Sequence, residues 1–311
     1  MKTIKMLRLK NISVFIAVFI LILASCQKDN DILNSLDVQN VNSEAASSAY
    51  IDENSDMSSV VMGSLTTTQY SGARTEGDII SGLGDRDGRL KCATVTVNRT
   101  GTKDAPAGTI TIDFTNGLTS GGQACTDNHG VQRKGQIIIT YSGLRWMPGS
   151  TFSIQLVDFY RNSTHIEGTE SYTANLSADS LHLKFVSSLV GGKITFGDGR
   201  TIERDHTFTK TWYRSILPQN DEWHLEGSAY GKNKNGNVYQ MEIESPLIHK
   251  VACWVSNKVF IPVKGVKVIT VTTGSGINTY KVDFGDGTCD NQVIVTINGK
   301  QKVITVNGDG N

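Results

Sequence analysis

Between Cys92 and Val306 apolar and polar residues alternate with a period of two, and no other feature restricts the fold of this 311-residue chain as strongly. In TITIDF, Ile110, Ile112 and Phe114 alternate with Thr109, Thr111 and Asp113. Successive side chains of an extended strand point to opposite faces, so a segment of this kind buries one face and wets the other. The pattern recurs in CATVTV from Cys92, GQIIITY from Gly135, TFSIQL from Thr151, SLHLKFV from Ser180, KVITVTT from Lys267, TYKVDF from Thr279, QVIVTI from Gln292 and KVITV from Lys302. Threonine and valine dominate, and both suit a pleated, half-buried surface. Pairs such as Asn116-Gly117, Gly191-Gly192 and Asn298-Gly299 divide the segments and supply the positive φ that two-residue hairpin turns need. About fifteen antiparallel strands are expected, in an all-β sandwich or barrel-like architecture spanning Leu90 to Val306. No strands alternate with long helical stretches, which excludes a doubly wound sheet.

One helix is expected ahead of the sheet. Ser43 can cap NSEAASSAYIDENSDMSSVVMGS, Glu44 falls in its first turn, and Ala46, Tyr50, Met57, Val61 and Leu65 lie near one stripe. The glycine-rich TTTQYSGARTEGDIISGLGDRDGRL then reads as a connection, so residues 43–89 form a helix and linker.

The first 25 residues read as an export signal. MKTIKMLRLK carries Lys2, Lys5, Arg8 and Lys10 without an acid, and the following apolar run from Ile12 to Leu23 falls short of the roughly 20 residues that span a bilayer. Leu23-Ala24-Ser25-Cys26 resembles the lipobox of bacterial lipoproteins, in which the cysteine receives a diacylglycerol and palmitate-type acyl chains after cleavage. Several chains at roughly 0.8 kcal/mol per buried CH2 make such an anchor effectively permanent. Cys26 is therefore the expected lipidation site, and the membrane the expected partner through it.

Charge supports a tether beyond the anchor. The full chain balances 30 basic against 30 acidic residues, so removal of the four basic residues of the signal leaves it acidic. From Gln27 to Asp56 there are Asp29, Asp31, Asp37, Glu44, Asp52, Glu53 and Asp56 against Lys28 alone. Residues 26–42 read as a disordered acidic tether. Acids just after a lipidated cysteine resemble the surface-export signals of Bacteroidota lipoproteins, which implies an outer-membrane protein displayed on the cell surface. The absence of a clustered basic face argues against nucleic acid as a partner.

Five cysteines are odd for an exported chain; assigning Cys26 to lipid leaves Cys92, Cys125, Cys253 and Cys289. Three connectivities remain open, and an oxidising compartment favours pairing. The pairs 92–125 and 253–289 are preferred because each encloses the same run: cysteine, strand, turn, strand ending in Asp-Phe, glycine turn, cysteine, strand. Asp113-Phe114 matches Asp283-Phe284, and Cys125 matches Cys289. The β-region accordingly divides into residues 90–250 and 251–311, the second related to 92–144.

The lipobox, TITIDF, GQIIITYSG, GKITFGDGRTIERDHTFTKTW and the terminal DFGDGTCDN together resemble a group of uncharacterised β-rich envelope lipoproteins of Bacteroidota over essentially the whole mature chain. The resemblance implies an envelope location, a β-rich fold and two disulfides; it implies no activity.

Chemistry is sparse. His129, His165, His182, His206, His224 and His249 are scattered, and no metalloprotease helix, nucleophile elbow, phosphate loop or dinucleotide fingerprint occurs. No catalytic residue and no cofactor is assigned. Phe-Gly-Asp-Gly occurs at 196–199 and 284–287, and the second copy resembles the DFGDG turn of polycystic kidney disease type domains, although the element that follows there is missing here. Calcium needs six to eight oxygens, for which Asp283, Asp286 and Asp290 are the candidates; the competing reading is a tight turn that glycine and aspartate favour. Asp179-Ser180-Leu181 resembles the Bacteroidota O-glycosylation motif at Ser180. Trp146, Tyr160, Trp212, Tyr213, Trp223, Tyr230 and Tyr239 gather centrally, as core or as a sugar-stacking platform. The chain is expected to be a lipid-anchored envelope protein with a structural or binding role. A glycan-binding accessory protein and a hydrolase of extracellular polymers are the alternatives.

Overall fold

The computed structural model describes residues 35–65, 77–115, 125–127, 130–257, 259 and 261–306; the signal segment and Cys26 lie outside them. Within that range fifteen strands form one antiparallel sheet. They are β1 (Asp78–Ile79), β2 (Thr94–Arg99), β3 (Ala107–Asp113), β4 (Cys125–Thr126), β5 (Gln132–Ser142), β6 (Thr151–Arg161), β7 (Thr164–Leu176) and β8 (Leu183–Thr195). There follow β9 (Thr201–Tyr213), β10 (Glu222–Lys232), β11 (Val238–Lys250), β12 (Lys264–Thr273), β13 (Gly276–Asp286), β14 (Gln292–Ile297) and β15 (Lys300–Thr305). Each strand lies beside its chain neighbour, except that β4 pairs with β5 off the main path. The sheet is open, running from β1 at one edge to β15 at the other. Among the described residues no helix is long and apolar enough to cross a membrane.

A helix, α1 (Ser35–Met62), crosses the sheet. It starts eight residues before Ser43, so Ser43 is a buried mid-helix residue whose hydroxyl accepts from the backbone N–H of Lys234 at 3.0 Å. The stretch read as tether thus contributes residues 35–42 to the helix. Its buried positions, Asn40, Ser43, Glu44, Ser47, Ile51, Asn54, Met57, Ser58, Val61 and Met62, follow helical spacing, but the first four are polar. An apolar stripe could not reveal that end, because the sheet satisfies it by hydrogen bonds.

The contacts of α1 require the sheet to wrap around it. Asn40 meets Tyr280 on β13, and Glu53 meets Arg133 on β5. Thirteen helical residues cover about 20 Å, whereas eight strand spacings cover about 38 Å on a flat sheet. The two spans are compatible only if β5 to β13 curve over the helix. The devices of curvature are irregularities in seven of the eight strand pairs between β5 and β13. Several carry a glycine where backbones converge: a Cβ on Gly135 would lie 2.1 Å from the Asp158 carbonyl oxygen, and one on Gly192 would lie 2.3 Å from that of Arg204.

Gly191-Gly192 was expected to form a hairpin turn and instead lies inside β8 as part of such a bulge. Asn298-Gly299 does form the expected two-residue turn, with φ of 50° and 77° between the paired Ile297 and Lys300. Asn116-Gly117 lies outside the described residues.

Three apolar clusters result. One joins α1 to the inner faces of β2 to β9, where Ile110, Ile112, Phe114, Ile137 and Ile139 lose all exposure. Each such side chain contributes roughly 1.5–3 kcal/mol by burial. The second lies within β9 to β14, and the third is a small group around Cys253. The disulfides are Cys92–Cys125 and Cys253–Cys289. Each joins a residue ahead of a strand pair, β2–β3 or β12–β13, to a residue beyond it. A short helix, α2 (Val251–Asn257), carries Cys253, and β11 and β12, which lie on either side of the expected division at residue 250, pair with each other through register shifts around Ser245.

Candidate functional site

Consecutive strands end alternately at two ends of the sheet. One end carries the hairpins at 162–163, 196–200, 233–237 and 274–275; the other carries the longer loops 143–150, 177–182 and 214–221. The polar contacts of α1 concentrate toward the hairpin end, and the tryptophans at the loop end.

Beneath α1, Arg204 donates to Glu44 at 3.1 Å, to Ser47 at 3.1 Å and to the Tyr239 hydroxyl at 3.3 Å, and Lys267 donates to the second Glu44 oxygen. Burial would raise the Glu44 carboxyl, but Lys267 and Arg204 outweigh it and hold the pKa at about 2. Farther along, Glu53 binds Arg133 and Arg161, and Arg133 also donates to Asp127 at 2.6 Å. His206 shares a 2.9 Å hydrogen bond with Glu170, and Ser55 links the other Glu170 oxygen to Tyr172. Burial raises the Tyr172 hydroxyl well above its ordinary range, and the Glu170 charge adds to it. These groups answer one another, which makes the layer a lock between helix and sheet. Sequence reading missed it because its members come from distant strands.

The first Phe-Gly-Asp-Gly segment is the turn between β8 and β9. The second is not the expected turn: Phe284, Gly285 and Asp286 end β13, where Asp286 pairs with Lys264 and the register slips between Asp283 and Asp286, with Gly285 at φ of 89°. In the first, the Phe196 carbonyl accepts from Gly199, and Asp198 accepts from the backbone and guanidinium of Arg200. In the second, Asp283 accepts from the Gly285 N–H, Asp286 from Thr288 and Asp290 from the Gln292 N–H. The hydroxyl and N–H of Thr288 hold the Asp286 carboxyl below its ordinary value. Asp283, Asp286 and Asp290 do not converge; among the described residues no three such side chains are grouped to hold a metal. Ser180 is exposed at the 177–182 loop with φ of 59°.

At the loop end, Trp212 and Trp223 are register partners on β9 and β10, with ring centroids 5.3 Å apart and planes within 6°. The 143–150 loop folds over β7, where Gly149 donates to Ala174 at 2.7 Å. This places Trp146 5.2 Å from Trp212 and 5.9 Å from Phe185. Asp221, buried, holds the neighbouring loop by accepting from the Trp212 indole N–H at 2.9 Å and from the Ser215 N–H at 2.7 Å. Trp146 remains 44% exposed. Arg145 lies over Trp146 and Phe185, Lys210 over Trp223 and Arg214 over Trp212. Burial draws the Arg145 guanidinium below its ordinary value, against the pull of Tyr172 and Asp56. Met147, Leu176, Leu181, Ile216 and Leu217 are exposed around this end.

The other aromatics singled out in the sequence lie apart. Tyr213, next in the strand to Trp212, faces the opposite side between His182 and His224. Tyr160 stacks on His165, Tyr230 is exposed, and Tyr239 is buried beneath α1. Comparison with family models, with curated proteins and with solved structures found no match.

Proposed function

We propose that this chain is an exported lipoprotein of the outer membrane, anchored through acylated Cys26, and that its β-body binds glycan with the tryptophan group at the loop end. The export signal and lipobox support the location. The observation that carries the binding role is the contiguous set Trp146, Trp212 and Trp223, with Trp146 partly open to solvent. Aromatic rings with one wet side bind well at interfaces because they present a large rigid area at low entropy cost. The described part of the stretch read as tether, residues 35–42, belongs to α1, and Asn40 donates to Tyr280 on β13, so the chain that follows Cys26 enters the fold near the hairpin end.

A glycan array probed with the full-length protein in detergent tests the reading, with intrinsic tryptophan fluorescence as the solution readout. Saturable binding accompanied by a fluorescence change, and weakened at least tenfold in Trp146→Ala, is expected. Absence of any glycan ligand, or binding indifferent to Trp146, would refute it.

A further inference from the structure

Three cations surround the tryptophan group without carboxylate partners. Arg89, Arg133, Arg161, Arg200 and Arg204 each pair with an acid. Among the described residues, Arg145, Lys210 and Arg214 have no acid at ion-pair distance. The Arg145 Nε is shielded from water and has no hydrogen-bond partner. Asp56 acts on Arg145, and Asp52 senses Lys210, from beyond ion-pair range. The guanidinium is steadied by rings instead: its carbon lies 4.9 Å from the Trp146 centroid, 5.1 Å from that of Phe185 and 5.5 Å from that of Phe152.

Holding a half-buried guanidinium over rings leaves its donors available for an incoming anion, and its planar fork matches a carboxylate or sulfate with two parallel bonds. Lys210 lies 5.1 Å from the Trp223 centroid and Arg214 5.0 Å from that of Trp212, so positive charge accompanies the aromatic surface across β9 and β10. A neutral sugar would use the rings and leave these charges unanswered. We infer that the ligand of this site is an acidic glycan, carboxylated or sulfated, with an acidic group bound by Arg145 beside a ring placed on Trp146. Lys210 and Arg214 add a field along the same face that favours a polymer charged at successive residues.

The exposed Met147, Leu181, Ile216 and Leu217 raise a lipid surface as the competing occupant. The position of the leader argues against it. Cys26 precedes the helix by nine residues, a reach of about 30 Å when extended. The loop end stands one strand length, about 35–40 Å, from the hairpins beside which α1 begins. An anchor at Cys26 thus holds the hairpin end nearer the bilayer and leaves the tryptophan end facing outward.

This inference rests on the glycan-binding reading, and one titration separates their failures. Full-length protein in neutral detergent is titrated with oligogalacturonate, a heparin hexasaccharide and cellohexaose, and separately with vesicles containing anionic phospholipid. At least tenfold tighter binding of an acidic oligosaccharide than of cellohexaose is expected, weakening with added salt. Arg145→Gln should abolish that preference, and Arg145→Lys should restore part of it. Melting temperatures of the variants near that of the parent confirm that folding is intact. If Arg145→Gln fails to fold, Lys210→Gln and Arg214→Gln, which lie on the same aromatic face, should each reduce the preference at least threefold. Equal binding of cellohexaose and the acidic oligomers overturns the acidic ligand and leaves glycan binding standing. Binding to anionic vesicles alone overturns both.

Discussion

Arg204 on β9 donates to Glu44 on α1 at 3.1 Å, and both side chains are 2% exposed, so the helix is fastened to the sheet by a charge pair with almost no access to water. Lys267 from β12 reaches the same carboxylate, giving one anion two cations drawn from separate strands.

Removing that anion strands two cations in the interior. Glu44→Gln is expected to lower unfolding stability by about 3–5 kcal/mol, the usual cost of breaking a buried pair from one side. Chemical denaturation measures the loss. Glu203→Gln, which breaks only the exposed 3.0 Å pair with Lys232, should cost about 0–1 kcal/mol. Similar losses in both variants would disprove the role given to Glu44.

The same carboxylate sets a pH dependence. Its pKa is about 2 in the folded chain against an ordinary 4.5. A depressed acid contributes its stability above the unfolded value and loses it as pH falls through the folded one. Stability from Glu44, about 3 kcal/mol at neutral pH, should therefore decline from about pH 4.5 toward pH 2. Denaturation midpoints measured across that window should fall less steeply in Glu44→Gln than in the parent.

Each disulfide closes a loop of comparable size, with separations of 33 and 36 residues. The chain-entropy account assigns such a loop about 4 kcal/mol. The double variants Cys92→Ala/Cys125→Ala and Cys253→Ala/Cys289→Ala should each lose stability on that scale. Peptide mapping without reduction should recover only the 92–125 and 253–289 links; any other linkage contradicts the fold.

Gly192 tests the curvature directly. A Cβ there would press 2.3 Å from the Arg204 carbonyl oxygen, so Gly192→Ala should cost at least about 1–3 kcal/mol as an overpacked site. Gly274→Ala, whose added carbon meets nothing within 4 Å, should leave the melting temperature nearly unchanged. Equal tolerance at both positions would mean that the bulge is not required for the wrap.

The strands were readable because a period of two is a local property. Ile110, Ile112 and Phe114 face inward on β3 and its continuation for the same reason that they alternate in the chain. The disulfide pairing was readable for a related reason, since each pair brackets one strand unit. Gly191-Gly192 was misread as a turn because a turn and a bulge both call for glycine, and only the paired strand shows which it is. Residues 35–42 of α1 were not legible as helix because the buried position there, Asn40, is polar and its partners Tyr280 and Asn233 lie far along the chain. The central aromatics are legible as a group in the sequence, whereas their division between the two faces of the sheet depends on strand direction and loop placement. Trp212 and Tyr213 are adjacent residues with opposite directions.

Alternation, turn chemistry and cysteine spacing were enough to determine an antiparallel all-β body of about fifteen strands with two internal disulfides. These depend on steric and solvation preferences that act over a few residues. The curvature of the sheet, the buried charge layer beneath α1 and the meeting of Trp146 with Trp212 and Trp223 required the folded chain. Each is an interaction between segments distant in sequence, and its energy exists only when bulged strands bring those segments around a common helix.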